Sequence, residues 1–513
     1  MKKVIYMYLV CALLLNTACT NDLDTEPIVE LSLEELLASD PNAVEGIVSR
    51  LYASFALSGP DGPGSSDISD DAGESPFLRG IINLQDFTAD GMKNRWGDNG
   101  LDQLTTTSDW DENNKFFRYM YNRIYYTIPQ CNNLLAVLTS ITVDNQEQIV
   151  AEVKFVRALA YYYLIDVFGK GVLATEENIG SSAPLPEASR IELFSFVEAE
   201  LLQAIENLPQ TSASYGRANK AAGQMLLAKL YLNAEVYTGT SRINDAVAPL
   251  NSVINEGGFS LATDFLMNFS ADNDTSPEII FPLIADAEIS QSFGNTTYIV
   301  NGSMSTETMP ISTFGAAEGW SGHRATEAWY GLFGDLNTST DDRAALFWTD
   351  GHNYEMTDYR EWTDGYPSIK FRNTNYSGTS ISTSFSSTDF PLFRLADAYL
   401  MYAELAVRGA QGTDMSTALG YVNALRDRVN ASTLSQGDLT LDFILDERAR
   451  ELNFEGHRRS DLIRFGKFTG GSYLWPWKGN VASGVSIPGH YNLFPIPLTA
   501  LEANPNLTQN PGY

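Results

Sequence analysis

The chain reads as a mainly α-helical protein. Tetratricopeptide-like helix pairs form a scaffold, and a loop-rich half contains short strands. Three observations predict this. In QIVAEVKFVRALAYYYLIDVFG, the residues Ile149, Val153, Val156, Ala160, Tyr163 and Val167 recur at spacings of three and four, the period of one helix face. A four–three spacing then returns three times beside partner helices, at Val197, Leu201 and Ala204, at Ala246, Leu250 and Val253, and at Ala418, Val422 and Leu425. Finally, helical periodicity fades from Gly257 to Phe390, where short apolar runs such as EIIFPLI suggest strands.

The elements follow in chain order. Lys2 and Lys3 precede an apolar stretch from Val4 to Leu15. This is short of the roughly 20 residues that a membrane-spanning helix needs, and it suits a secretory leader. The small residues Thr17 and Ala18 come next, and then Cys19. This is the order of a lipoprotein signal over residues 1–18, with Cys19 as the lipidation site. Asn16 departs from the pattern, since an aliphatic residue is usual there. Cys11 would leave with the leader, so only Cys131 would accompany Cys19 and no disulfide framework is expected.

Ser58 to Pro76 is a Gly/Ser/Pro/Asp-rich loop. In the helix around Tyr161, Phe155, Leu159 and Tyr162 widen the stripe, which predicts burial on most sides. FVEAELLQAIENLP extends the four–three stripe to Pro209. NKAAGQMLLAKLYLNAEVY and RLADAYLMYAELAV supply the partners of the second and third stripes. Asn373 to Phe390 is a second long loop of small polar residues, and loops of this length are usually functional or mobile.

A formal net charge of −31 argues against nucleic acid as a partner. The four histidines show no metal-ligand spacing, and no nucleophile elbow, phosphate loop or C-x-x-C is present. DISDDAG lacks the glycine and the distal glutamate of a calcium loop. No catalytic residue, cofactor or metal is therefore assigned. Binding is better supported, because aromatics in polar, glycine-rich loops suit a ligand. Trp96 in MKNRWGDNG, Trp320 with His323 in GWSGHRATEAWYGLFG, and Arg372 with Tyr376 in SIKFRNTNYSG are the candidates. Indole faces stack on the apolar C–H faces of sugars, while Arg, Asn and His bond hydroxyls. Each tryptophan could equally plug its loop onto the core.

ILDERARELNFEGHRRSDLIRFGKF, Ile444 to Phe468, resembles the signature of the SusD/RagB family of outer-membrane nutrient-binding lipoproteins of Bacteroidetes. LQDFTADGM, AEVKFVRALAYYYLIDVFG, YGRANKAAGQMLLAKLYL and YNLFPIPLTALEANPNLTQNPGY also fit, so the resemblance covers residues 19–513. It implies one domain there, with an N-terminal part over 19–250 and a C-terminal part over 257–513, built on about four tetratricopeptide-like pairs. It further implies a non-catalytic, cell-surface binder of glycan, or sometimes peptide, that acts as a lid on a SusC-like TonB-dependent transporter. The acidic residues Asp22, Asp24 and Glu26 resemble the family's surface-export tag. The expected ligand is a neutral glycan, a β-glucan or fructan. A surface glycoside hydrolase, a peptide-binding member and a purely structural lid are the alternatives. The signature itself reads as scaffold, with Leu441, Ile444, Leu445, Ala449 and Leu452 on one apolar face. Asp446–Arg450, and Glu455 with Arg458 and Arg459, are expected to brace the other.

Overall fold

The computed structural model describes residues 32–513 apart from 213 and 382, so Cys19 and the acidic residues after it lie outside the described residues. The principal helices are α1 (Ala43–Ala56), α2 (Phe77–Ile81), α3 (Lys115–Val137), α4 (Gln146–Val167), α5 (Arg190–Asn207), α6 (Lys220–Leu232), α7 (Ile243–Glu256), α8 (Thr296–Gly302), α9 (Leu395–Val407), α10 (Met415–Arg428), α11 (Leu441–Leu452) and α12 (Arg458–Arg464). Among the described residues, six short strands form three antiparallel pairs. They are β1 (Met92–Asn94) with β5 (His323–Ala325), β2 (Gly171–Val172) with β3 (Glu187–Ala188), and β4 (Ile279–Leu283) with β6 (Phe390–Arg394).

The predicted helix faces are the buried faces. α4 buries all six residues of its stripe together with Phe155, Leu159 and Tyr162, and is covered on most sides. α5 begins with a reciprocal cap in which Ser189 and Glu192 satisfy each other's backbone N–H groups. It packs on α4, α7 packs on α6, and α10 packs on α9. These are the three couples that the four–three spacing marks, and all nine stripe residues are buried. The stripe of α5 stops short of Pro209. The helix ends at Asn207, and Leu208 takes an extended backbone before the proline while its side chain enters the core. A residue preceding proline is pushed out of the helical region, which ends the helix. One hydrophobic core runs from Leu37 to Ile496 and includes residues of nearly every principal helix. Among the described residues, the loop stretches 58–76 and 373–389 contain no helix or strand.

In α11 four of the five residues of the expected apolar face, Ile444, Leu445, Ala449 and Leu452, are buried, while Leu441 in the first turn is half-buried. The opposite face differs from the expectation. Glu447, Arg448 and Glu451 are also buried, so the charged side meets protein rather than water. Arg450 bonds Glu447 at 2.8 Å and not Asp446. Glu455 turns to Lys370 and Arg394, Arg458 pairs with Asp90, and Arg459 donates to the Tyr491 and Asn492 carbonyls. The physical reason is coverage on both sides: buried charges must find partners wherever the fold brings them. Glu451 shows the outcome, accepting from Arg343 at 2.8 Å, from Arg394 at 2.8 Å and from Arg428.

Replacing Glu451 by alanine leaves three buried guanidinium groups short of an acceptor. Breaking a buried pair in this way costs about 3–5 kcal/mol, and chemical denaturation should show a loss of that order. A loss below about 1 kcal/mol would place the pairing among surface contacts. Burial alone would raise the Glu447 carboxyl, but Arg343, Arg450 and Arg426 hold it at about 2. Glu451 is likewise held low, by Arg428, Arg394 and Arg343 against the same burial effect. A depressed carboxylate stabilises the fold above its unfolded pKa of about 4.3 and loses that contribution as pH falls through the folded value. Melting temperature should therefore drop between about pH 4.5 and 2, and drop less steeply in Glu447→Gln.

Candidate functional site

Strand pairing brings two distant loops together. β1 and β5 align Met92 with Ala325, Lys93 with Arg324 and Asn94 with His323. The Arg95 N–H extends the ladder to the Gly322 carbonyl at 3.0 Å. Trp96 leaves β1 two residues beyond the pairing, and Trp320 enters β5 three residues before it, so the indoles meet. Their ring centroids lie 6.4 Å apart at 52°, and Trp96 Nε1 donates to the Trp320 carbonyl at 3.0 Å. Both rings are half-buried.

The loop before β5 is seated on α8. The Trp320 and Gly322 N–H groups donate to the Asn301 and Gly302 carbonyls at 2.8 and 2.7 Å, serving carbonyls that the helix end leaves open. Ser321 between them has φ 52°, a left-handed conformation that costs a non-glycine residue strain. Glycine is required on either side of the contact. A Cβ at Gly322 would lie 2.5 Å from the Trp96 ring, and one at Gly302 would lie 2.0 Å from His323 Nε2.

Beneath the indoles is an aromatic floor. The Tyr298 ring lies 5.9 Å from Trp96 and 4.6 Å from His323, and its hydroxyl donates to Asn83 Oδ1 at 2.8 Å. Arg79 from α2 spreads its guanidinium 4.5 Å over Tyr298 and 5.9 Å from the Trp96 ring. Its Nη groups reach Gly73 O and Glu74, while its Nε is buried without a partner among the described residues. The rim is acidic and polar. Asp98 and the exposed Asn99 follow Trp96, and Glu318 accepts from Trp320 Nε1 at 3.2 Å and from Ser384 Oγ at 3.4 Å. The assembly is a shallow apolar surface of two tilted rings with hydrogen-bonding groups at its edge.

The structure brings Trp96, Trp320 and His323 together but gives them different roles. His323 is fully buried, its Nδ1 meets Asn94 Nδ2 at 2.9 Å, and its Nε2 meets the Tyr298 carbonyl at 2.9 Å. It cannot bond a ligand hydroxyl and instead backs the indoles. Arg372 and Tyr376 lie elsewhere, around Asp264. The Tyr376 hydroxyl reaches Asp264 Oδ2 at 3.3 Å, and Arg372 lines a cavity beside the same carboxylate. Sequence reasoning misses Arg79 and Tyr298. Arg79 sits within a short apolar helix, and Tyr298 falls where helical periodicity fades, so neither carries a signal of its own.

Two family models match the chain: the SusD family over residues 344–513, and a family described as starch-binding and associating with the outer membrane over residues 79–232. The starch-binding protein SusD of Bacteroides thetaiotaomicron is 34% identical, with 97% of this chain and 96% of that protein covered. A SusD-like protein of Formosa agariphila is 26% identical, over 73% of this chain and 75% of that one. Among solved structures, a SusD superfamily protein from Parabacteroides distasonis superposes with TM-score 0.72 at 20% identity, covering 92% of this chain and 99% of that one. Surface glycan-binding protein A from Bacteroides thetaiotaomicron, in complex with laminarihexaose, superposes with TM-score 0.70 at 20% identity, covering 91% and 99%.

Burial lowers the His323 pKa to about 3, and nearby Arg79 and Arg324 add to the effect. Its imidazole should therefore stay neutral through the range where a free histidine, with a pKa near 6.5, takes up a proton. The ring resonances in a proton NMR titration should be flat from about pH 8 to pH 5. A midpoint near 6.5 would put His323 back on the surface.

Proposed function

The chain belongs to the SusD family, and we propose that it captures a neutral glucan on the Trp96–Trp320 surface without cleaving it. The observation that carries this reading is the pair of half-buried indoles, held from two loops in one fixed arrangement. Aromatic faces stack on sugar rings, and the tilt between them suits a chain that bends from one ring to the next. The edge groups Asn99, Asp98 and Glu318 supply hydrogen-bond partners for hydroxyls. Two carboxylates at the rim disfavour an acidic sugar. The relatives support the polymer class, because starch and laminarihexaose are both made of glucose and are bound by a 34% identical protein and by a protein of the same fold. A fructan remains the control ligand.

In this reading the protein works at the outer membrane, held to the cell surface by acyl chains on Cys19, and hands its glycan to a SusC-like TonB-dependent transporter. Two or more acyl chains give the stable attachment that a single chain does not.

Two tests follow from this assignment. In calorimetry with maltohexaose, laminarihexaose and a short inulin-type fructan, Trp320→Ala should bind its glucan at least about tenfold more weakly, a loss of about 1.4 kcal/mol, at nearly unchanged melting temperature. Trp96→Ala should lose as much affinity and also melt lower, because its ring packs on Tyr298 and His323. Wild-type binding by both variants would remove the site, and new reducing ends in the wild-type mixture would favour a hydrolase. For the anchor, Cys19→Ala should lose acylation and, in cells lacking the transporter, should leave the outer-membrane fraction. Persistence there would refute lipid attachment at Cys19.

A further inference from the structure

We propose that a second carbohydrate subsite lies in the cavity between Arg372 and Asp264, apart from the tryptophan surface. It rests on the reading of this protein as a glycan binder and adds a place that neither family membership nor the aromatic pair supplies. The cavity holds about 390 Å³ and is lined by Asp264, Leu266, Leu346, Ile369, Arg372 and Arg428, among others. Small-molecule pockets commonly begin near 300 Å³.

Two guanidinium groups on its wall have unused donors. Arg372 makes one side-chain hydrogen bond, from Nη2 to the Ile369 carbonyl at 2.8 Å, and its Nε is buried without a partner among the described residues. Arg428 binds Glu278 and Glu451 through its two Nη atoms, yet its Nε is also unpartnered while its side chain is only 4% exposed. These Nε atoms are closed off from solvent, but Arg372 Nη1 makes no hydrogen bond among the described residues and is not closed off, so it is the donor that an acceptor entering the cavity can meet.

The same cavity also offers acceptors. Asp264 holds the Leu266 N–H through Oδ1 at 2.8 Å, and its Oδ2 has only the long contact with Tyr376. Asp342 is a second carboxylate on the wall. An anion entering here meets two carboxylates, and a cation meets the guanidinium groups. A neutral ligand whose hydroxyls both donate and accept meets donors, acceptors and the apolar Leu266, Leu346 and Ile369 between them. The Tyr376 ring, 48% exposed, stands beside Asp264 as a stacking face.

The backbone links this cavity to the tryptophan surface. Arg372 is fixed by its N–H to the Phe269 carbonyl at 3.1 Å and by its own carbonyl to Thr388 Oγ1 at 2.6 Å. From there the Ser/Thr loop runs to Thr383, which bridges Ala316, and to Ser384, which bonds Glu318 beside Trp320. One loop therefore borders both places.

Calorimetry with maltotriose and laminaritriose, too short to serve both places at once, tests this. The wild type should bind two molecules of its triose per chain. Trp96→Ala/Trp320→Ala and Arg372→Gln/Asp264→Asn should each bind one, with the lost site weakened at least tenfold. One molecule per wild-type chain, unaffected by Arg372→Gln/Asp264→Asn, overturns the second subsite and leaves the tryptophan site standing. A wild type that takes up neither triose nor hexaose overturns both. Should the Arg372 variant fail to fold, crystals of the wild type soaked in the triose decide. Sugar density between Arg372 and Asp264 is expected, and an empty cavity beside an occupied tryptophan surface refutes the proposal.

Discussion

The rest of the structure depends on a set of charges that have been taken out of water. Glu451 sits at its centre, facing Arg343, Arg394 and Arg428, and each of these reaches a further carboxylate at Glu447, Glu455 or Glu278. Removing such charges from water is expensive, and their mutual attraction compensates only where geometry is good and every group is paired. That condition is demanding, so the network tolerates few arrangements of the segments that contribute to it. Those segments are α10 and α11 from the scaffold, Arg394 at the end of β6, Glu278 just before β4, and Arg343 and Lys370 from the loop-rich half. The network therefore holds the two parts in one register in a way that apolar contact alone, being non-directional, would not.

The same segment positions the Trp96–Trp320 surface from a distance. Just after α11, the Phe454 and Gly456 N–H groups donate to the Asp86 carboxylate at 3.2 and 3.0 Å, and Arg458 clasps Asp90 through both oxygens. Asp86 and Asp90 stand immediately before β1, whose end carries Trp96. On the partner side, Arg324 in β5 donates to the Asp364, Gly322 and Tyr359 carbonyls and fixes the strand that carries Trp320 inward. The scaffold thus sets where each of the two strands lies, and their pairing sets how the indoles meet. A floor of Tyr298, His323 and Arg79 lies beneath the Trp96 ring, and both tryptophans stay partly exposed.

This arrangement separates two demands on one sequence. The buried network and helix pairs need charge complementarity and close packing. The loops that follow β1 and precede β5 need only to emerge at a fixed place, so their composition can answer to a ligand. Gly322, Gly302 and the strained Ser321 are where the two demands meet, because there the backbone itself lies against an aromatic ring or a helix end.

Much of the scaffold was legible in the sequence. The three helix couples, the burial of α4, the two long loops and the apolar face of α11 follow from periodicity and composition, which are local properties of the chain. Helix α3 was not, because Pro129 and the scattered tyrosines of KFFRYMYNRIYYTIPQCNNLL blur its period. Trp96 and Trp320 were recognisable as aromatics in polar loops. Their meeting was not, because it depends on strands 229 positions apart in register. Where His323, Arg372 and Tyr376 come to lie was decided by burial and direction alone. A histidine among glycines reads the same whether its ring faces water or packs under an indole, and an arginine at a loop mouth reads the same whichever cavity it enters. Charge pairing shows the limit most clearly: Asp446, Arg450, Glu455 and Arg458 are neighbours in sequence, but once both sides of α11 are covered, desolvation sends most of them to partners that only the folded chain supplies.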